Sequence, residues 1–435
     1  MKISKQKLFW RRSQTGTALV TVLMLITIMT ILSAATTMIV LNGQKQVSVQ
    51  FMREGQAANV ARAGLQAGLS WYKSQLTQPV RQDTFNADHV CSIHAAFYPR
   101  EHATEIEKGD TLDDTIGLTK ELKVQEPNIY GRYTVKRYDC SQPDTSEWNK
   151  HAARDITFKR GKQDGVTVPG QGVVWYLESQ AQLYLKNTND PTKQPDESPN
   201  KLLQTTNASV EINRVSMSLF GKPLLTLTGT TASTFNNRCE LIGDTQLVTA
   251  IVRNSTTPAI SGTPLWTTGG ADQDHLINIG GGEADKTVLN TFNMTMTELK
   301  AVSDKVYTNV NQISAVDPIP FGMTYIEGAV NGMGIGTDTF TFTNTRPLKG
   351  SGVLFVNGNL TLNDDSNSAF SGLIYVTGTI NMGSSNSLGG AITAGRVVCT
   401  PGTRTTLEFN DNVVNNVRQR LGLYRQNNLT VSIFK

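Results

Sequence analysis

SGVLFVNGNLTLN (351–363), SGLIYVTGTINMG (371–383) and GGAITAGRVVCT (389–400) align column for column, with the third copy one residue shorter. The copies start about 20 residues apart, a period that belongs to repeat architectures. Leu354, Ile374 and Ile392 share a column, followed by Val356, Val376 and Ala394, then Leu360, Ile380 and Val397, then Leu362, Met382 and Cys399. Alternate apolar positions put one face of each strand into a core. Gly358, Gly378 and Gly395 separate the paired strands and suit corners whose backbone needs unusual dihedrals. Strand, glycine corner, strand and polar return predict a short β-solenoid or β-roll, with an ordinary β-sandwich as the competing reading.

Outward from the repeat, a weaker fourth copy begins at Gly322, with Gly328 at the six-residue offset of the first two copies. LLTLTGTTASTF (224–235) already has the strand and glycine character, so the β-rich repeat region is read as residues 224–435. Two helices are expected inside it. One runs from about Thr295 to Ile313, opened by a Thr295/Glu298 capping box, with Leu299, Val302, Val306, Val310 and Ile313 on one face. The other spans about Asp411 to Leu421, with Gly422 as its stop, and both are expected to cover the solenoid or its open end. Gly332, Gly334 and Gly336 precede no helix that could receive a phosphate and read as turns. Asp364, Asp365 and Asn367 form an acidic turn without EF-hand spacing, read as solvated rather than calcium-binding.

Before the repeat region lies a mixed stretch, 79–223. Its first half, to about residue 165, has weak periodicity and receives no assignment. VVWYLESQAQLYL (173–185) and ASVEINRVSMSL (208–219) alternate well enough to be strands, and NTNDPTKQPDESPN (187–200) makes an exposed connection between them. The pair predicts an antiparallel hairpin.

The N-terminal segment decides the compartment. TALVTVLMLITIMTILSAATTMIVL, from Thr17 to Leu41, has no charge, and as a helix it spans roughly 37 Å, enough to cross a bilayer core of about 30 Å. Lys2, Lys5, Lys7, Arg11 and Arg12 all precede it with no acidic residue among them, which predicts a cytoplasmic N-terminus and an extracytoplasmic bulk. Removing those five from the 40 basic residues leaves 35 against 36 acidic ones, so the body is neutral and nucleic-acid binding has no electrostatic support. Three readings compete. A secretory signal cut near Ser33 to Ala35 is disfavoured because the apolar run continues to Leu41; the others are a plain single-pass anchor and a leader whose apolar helix is retained.

The short basic leader ending at Gly16, followed by Thr17, Ala18, Leu19 and Val20 and then an unbroken apolar helix, resembles the type IV prepilin layout. The resemblance implies cleavage between Gly16 and Thr17 by a membrane-bound prepilin peptidase, then methylation of the new N-terminus. This chain has Thr17 where the family usually has Phe or Met, and Thr21 where its fifth mature residue is usually Glu. Phe51, Ala58, Leu65 and Tyr72 recur at seven-residue intervals, with Val47, Ala61 and Leu69 nearby, so the helix is expected to continue to about Leu76, with Pro79 ending it. AANVARAGLQAGLSWYKSQL (57–76) looks like the small-residue stretch of PilX-type minor pilins, with Arg62 where those commonly have an acid. The C-terminal repeats resemble the β-domains attached to large members of that group.

The expectation is therefore an α+β chain: a leader (1–16), a transmembrane and continuing pilin-like helix (17–78), a head in which that helix packs on an antiparallel sheet (79–223), and the mainly β domain (224–435). The resemblance implies a structural subunit of a pilus or related secretion system. Its partners would be the inner membrane, the prepilin peptidase and other pilins or pseudopilins. An adhesin with a surface receptor is the main alternative, and a tethered glycan-active enzyme a weaker one.

Four cysteines, at 91, 140, 239 and 399, allow three complete pairings in an oxidising compartment. Cys91 and Cys140, both in the head, are the favoured pair, and Cys399 reads as a small buried hydrophobe. His89, Cys91, His94 and His102 cluster without CxxC or HExxH, so no metal, cofactor or catalytic residue is assigned.

Overall fold

The computed structural model describes residues 6–74, 117–125, 127–136, 145–157, 160, 174–190, 193–215, 217, 224–243, 251–253, 260–267, 288–421 and 424–434. It is an α+β architecture with one long helix, an antiparallel sheet and a larger sheet wound from parallel strands.

Helix α1 (Gln6–Ser74) is continuous over 69 residues, about 100 Å at 1.5 Å per residue. Its threonines do not break it, because their hydroxyls donate to carbonyls one turn back: Thr27 to Leu23 (2.7 Å), Thr30 to Ile26 (3.0 Å) and Thr36 to Leu32 (2.8 Å). Ala57, Val60, Ala61, Leu65, Leu69 and Tyr72 are buried on one stripe, whereas Phe51 and Val47, expected on the packed face, are exposed. The buried part of the contact with the head begins at Ala57.

Four of the head sheet's seven described strands run in the order β1 (Gly117–Gln125), β2 (Ile129–Lys136), β3 (Val174–Leu185) and β4 (Lys201–Arg214), all antiparallel. The β3–β4 pair is the expected hairpin, with β4 beginning at Lys201 rather than 208, and β1 and β2 come from the stretch left unassigned. Trp175, Leu177 and Ala181 of β3 are buried in the core shared with α1. The helix lies close to the sheet through glycine: a Cβ on Gly68 would come 2.8 Å from Leu177 Cδ2, and one on Gly64 would collide with the Ser179 hydroxyl.

The repeat is a solenoid. Strands β5 (Ile319–Glu327), β6 (Lys349–Asn357), β7 (Asn359–Leu362), β8 (Ala369–Met382) and β9 (Ser387–Cys399) stack in parallel. Leu354 faces Ile374 and Ile374 faces Ile392; Val356, Val376 and Ala394, then Leu360, Ile380 and Val397, then Leu362, Met382 and Cys399 follow in register. All four columns read from the sequence are real. The fourth copy is real at Gly322, which pairs with Gly352, but the 328–338 turn separates it from its second strand, Thr339–Phe342. A second glycine column, Gly352, Gly372 and Gly390, lies at the other corner with φ of +118°, +154° and +113°. Each would drive a Cβ into the carbonyl of the glycine beneath it.

The chain order of the solenoid is not its spatial order. Leu225–Leu227 pairs with Ile392–Ala394 of β9, Ser233–Phe235 with Val398 and Cys399, and Cys239–Ile242 with Thr405–Glu408. Read as one superhelix, the coils run from 305 to 408 and then continue at 225 through 267, so one coil is built from two distant segments. Entrance and exit share that coil.

β10 (Tyr424–Gln426) and β11 (Ser432–Phe434) then pair with β4, so residues 424–434 belong to the head sheet and not to the repeat region that 224–435 assigned them to. The solenoid is an insertion between two hydrogen-bonded strands, β4 and β10. The expected helix from Thr295 to Ile313 is also shorter: the Thr295/Glu298 capping box forms, but the helix is Met296–Val302, and Lys305–Tyr307 pairs with β5 instead. The second helix, Asp411–Arg420, is where the sequence put it, capped by Asn410.

Candidate functional site

Two surfaces meet at α1. From Leu19 to Leu41 its apolar side chains are exposed all round, and this helix is long and apolar enough, by length and composition, to cross a membrane. Gly16 and Thr17, the expected processing pair, lie within the helical run near its start. Leu41 ends the apolar segment without a break in the helix. From Ala57 onward the same helix is half covered by the head sheet. A rigid rod thus carries an uncovered apolar half and a head clamped to its other half.

The clamp is aromatic at its end. Tyr72 is fully buried, with ring centroids of Trp71, Trp175 and Tyr424 at 5.1, 5.3 and 5.6 Å. Tyr424 comes from β10, so the strand that follows the solenoid closes the core around α1. Neighbouring Arg425 reaches the other way: buried, it donates to the carbonyls of Val302 (2.9 Å) and Leu421 (3.0 Å) and pairs with Asp304. One short strand therefore locks helix, head and solenoid together.

On the sheet face away from α1, Glu178 is buried with His151 Nδ1 at 2.6 Å and accepts from the Tyr176 hydroxyl at 2.5 Å. Burial, then the bond to Glu178, pushes the Tyr176 hydroxyl above its ordinary range. Each carboxylate oxygen is engaged, so the group pins the 145–157 segment to β3. Glu327 is treated similarly by Lys300 Nζ (2.5 Å), Tyr325 (2.9 Å) and fully buried Asn357 (2.7 Å). These are structural networks, and among the described residues no group of three His, Cys, Asp or Glu could hold a metal.

The solenoid's outer surfaces differ. One is covered, with Phe292 of the 288–302 helical segment packed on Phe355 and Tyr375. Another presents Thr341, Thr361 and Asn381 in one row and Thr339, Asn359 and Thr379 in the next, all partly or fully exposed. Asp364 accepts from Ser384 N (2.7 Å) and Asp365 from the Ser385 hydroxyl (3.1 Å), so the acidic turn stacks on the turn of the next coil. The Gly332 to Gly336 segment is a tight turn closed by a Val330–Gly336 bridge.

Cys399 is not a lone buried hydrophobe: it is disulfide-bonded to Cys239, with Cα atoms 5.8 Å apart. Its column position among core residues hid the partner, which stands 160 residues earlier in the chain. Cys91 and Cys140, with His89, His94 and His102, lie outside the described residues.

No known protein family matches the chain, and no curated protein does. Among solved structures, it is similar to the competence-associated pilin ComZ from Thermus thermophilus at 9% identity and a TM-score of 0.17, over 87% of this chain and 97% of that one.

Proposed function

We propose that this chain is a pilin-like structural subunit of the PilX minor pilin or pseudopilin type, not an enzyme, serving a type IV pilus or related secretion system. Its leader is cut after Gly16 by a prepilin peptidase, and Thr17 becomes the methylated N-terminus. Residues 17–41 hold it in the inner membrane, N-terminus cytoplasmic, until other pilins or pseudopilins take it into a filament. One observation carries the reading: a single unbroken helix has an uncovered apolar first half and a second half fixed to an antiparallel sheet. Without a glutamate at the fifth mature position and with a whole solenoid inserted in its head, the subunit suits a tip or base better than a repeating shaft.

The test is mass spectrometry of the mature N-terminus from cells with and without active prepilin peptidase. A methylated Thr17 that depends on the peptidase is expected. An intact Met1 in both strains reduces the helix to a plain anchor, and a start near Thr36 makes the chain a secreted protein.

A second reading is favoured by the exposed threonine and asparagine rows of the solenoid, whose place at the end of a rigid rod suits an adhesin with a surface receptor. Because the solenoid is an insertion, joining residue 215 to 424 by a short linker should leave the head intact. An adhesin so trimmed keeps filament assembly and loses attachment.

A further inference from the structure

Where α1 leaves its apolar segment, it forms a cleft of about 670 Å³ with the start of β4, lined by Asn42, Lys45, Gln46, Val49, Gln50 and Arg53 of the helix and Leu203 and Gln204 of the strand. Lys45, Val49 and Arg53 are spaced by four residues and share a face. Two cations and four amide side chains line the cleft and no carboxylate does; Glu54, next to Arg53, accepts from Gln50 Nε2 at 3.3 Å. Its position is set by the anchor. Along the helix axis Lys45 lies about 6 Å and Arg53 about 18 Å beyond Leu41, and the headgroup layer on each side of a bilayer is about 5–8 Å thick. Helical side chains lean toward the N-terminus, which here is the membrane side, so Lys45 stands in that layer and Arg53 leans toward its outer edge from the water side.

We propose that this cleft binds a phosphate ester anion, that of an anionic lipid headgroup, and so seats the head on the membrane before assembly. The ammonium of Lys45 and the forked guanidinium of Arg53 supply the charge, and the amide groups of Asn42, Gln46, Gln50 and Gln204 supply neutral donors to the remaining oxygens. The inference rests on the reading of residues 17–41 as a membrane span.

The experiment uses the full chain in detergent with equal amounts of phosphatidylglycerol and phosphatidylcholine, and counts retained lipid by native mass spectrometry. The wild type is expected to retain phosphatidylglycerol in preference. Each of Lys45→Gln and Arg53→Gln should weaken retention about fivefold, and the double variant about 25-fold, the size of one and two basic residues at an anionic surface. Lys73→Gln, an exposed position on the same helix away from the cleft, should change nothing. An unchanged preference in the double variant, or an equal loss in Lys73→Gln, overturns the proposal. So does displacement of the lipid by millimolar inorganic phosphate, which would make the ligand a free phosphate. Carbonate extraction of membranes carrying the chain separates the two claims: a chain that is extracted defeats the membrane span, and one that stays but has no lipid preference defeats only the cleft.

Discussion

Cys239 and Cys399 are bonded across the coil that the chain builds from two segments, one on its way into the solenoid and one on its way out. The bond closes a loop that contains most of the insertion. It fastens the seam where no peptide bond connects one coil to the next.

Closing so long a loop removes much chain entropy from the unfolded state. Cys239→Ser with Cys399→Ser should therefore lose about 2–5 kcal/mol. A fall in melting temperature of the double variant relative to the wild type, both measured without reductant, checks it.

Arg425 is the buried link between head and solenoid, holding two carbonyls and Asp304. Arg425→Met removes the donor to both carbonyls and the cation beside Asp304, and should cost about 3 kcal/mol. The expected outcome in calorimetry is a head that melts apart from the solenoid, whereas the wild type melts in one transition.

Gly64 and Gly68 let α1 approach β3. Gly68→Leu must push Leu177 aside, so helix and sheet separate, at a cost of about 1–3 kcal/mol from overpacking. Faster proteolysis near residue 74 should report it, with Gly55→Leu unaffected because nothing lies within 4 Å of that position.

Glu327 gives a pH test. Burial works against its charge, but bonds from Lys300, Asn357 and Tyr325 outweigh burial and hold the carboxyl below its ordinary value of 4.5. A lowered folded value means the contribution is complete above the ordinary value and is lost as pH falls through the folded one. Melting measured from neutral pH down to about pH 3 should show Glu327→Gln less stable at neutrality, by about 1–3 kcal/mol. Its slope below about pH 4.5 should be shallower than the wild type's.

The four repeat columns were legible because strand alternation and a near-constant period translate directly into parallel register. The Thr295/Glu298 capping box and the Asp411–Arg420 helix were legible for the same reason: their signals are local. The helix expected to reach Ile313 stops at Val302 because distant groups intervene. Asp304 is taken by Arg425 and by Met323 N (2.8 Å), and Val306 pairs with Tyr325 in a strand. A periodic apolar pattern could not register those competitors.

By itself the sequence determined the uncharged helix, the glycine corners and the coil register, since each depends on neighbours within one helical turn or one repeat. Only the tertiary structure decided that residues 225–267 stack beyond 408, that Cys399 meets Cys239, and that β10 and β11 return to the head. Those contacts join segments more than 150 residues apart, and any coil with an apolar interior can stack on any other. The choice falls to the geometry of the insertion: β4 and β10 must lie side by side, so the chain must leave the solenoid next to where it entered.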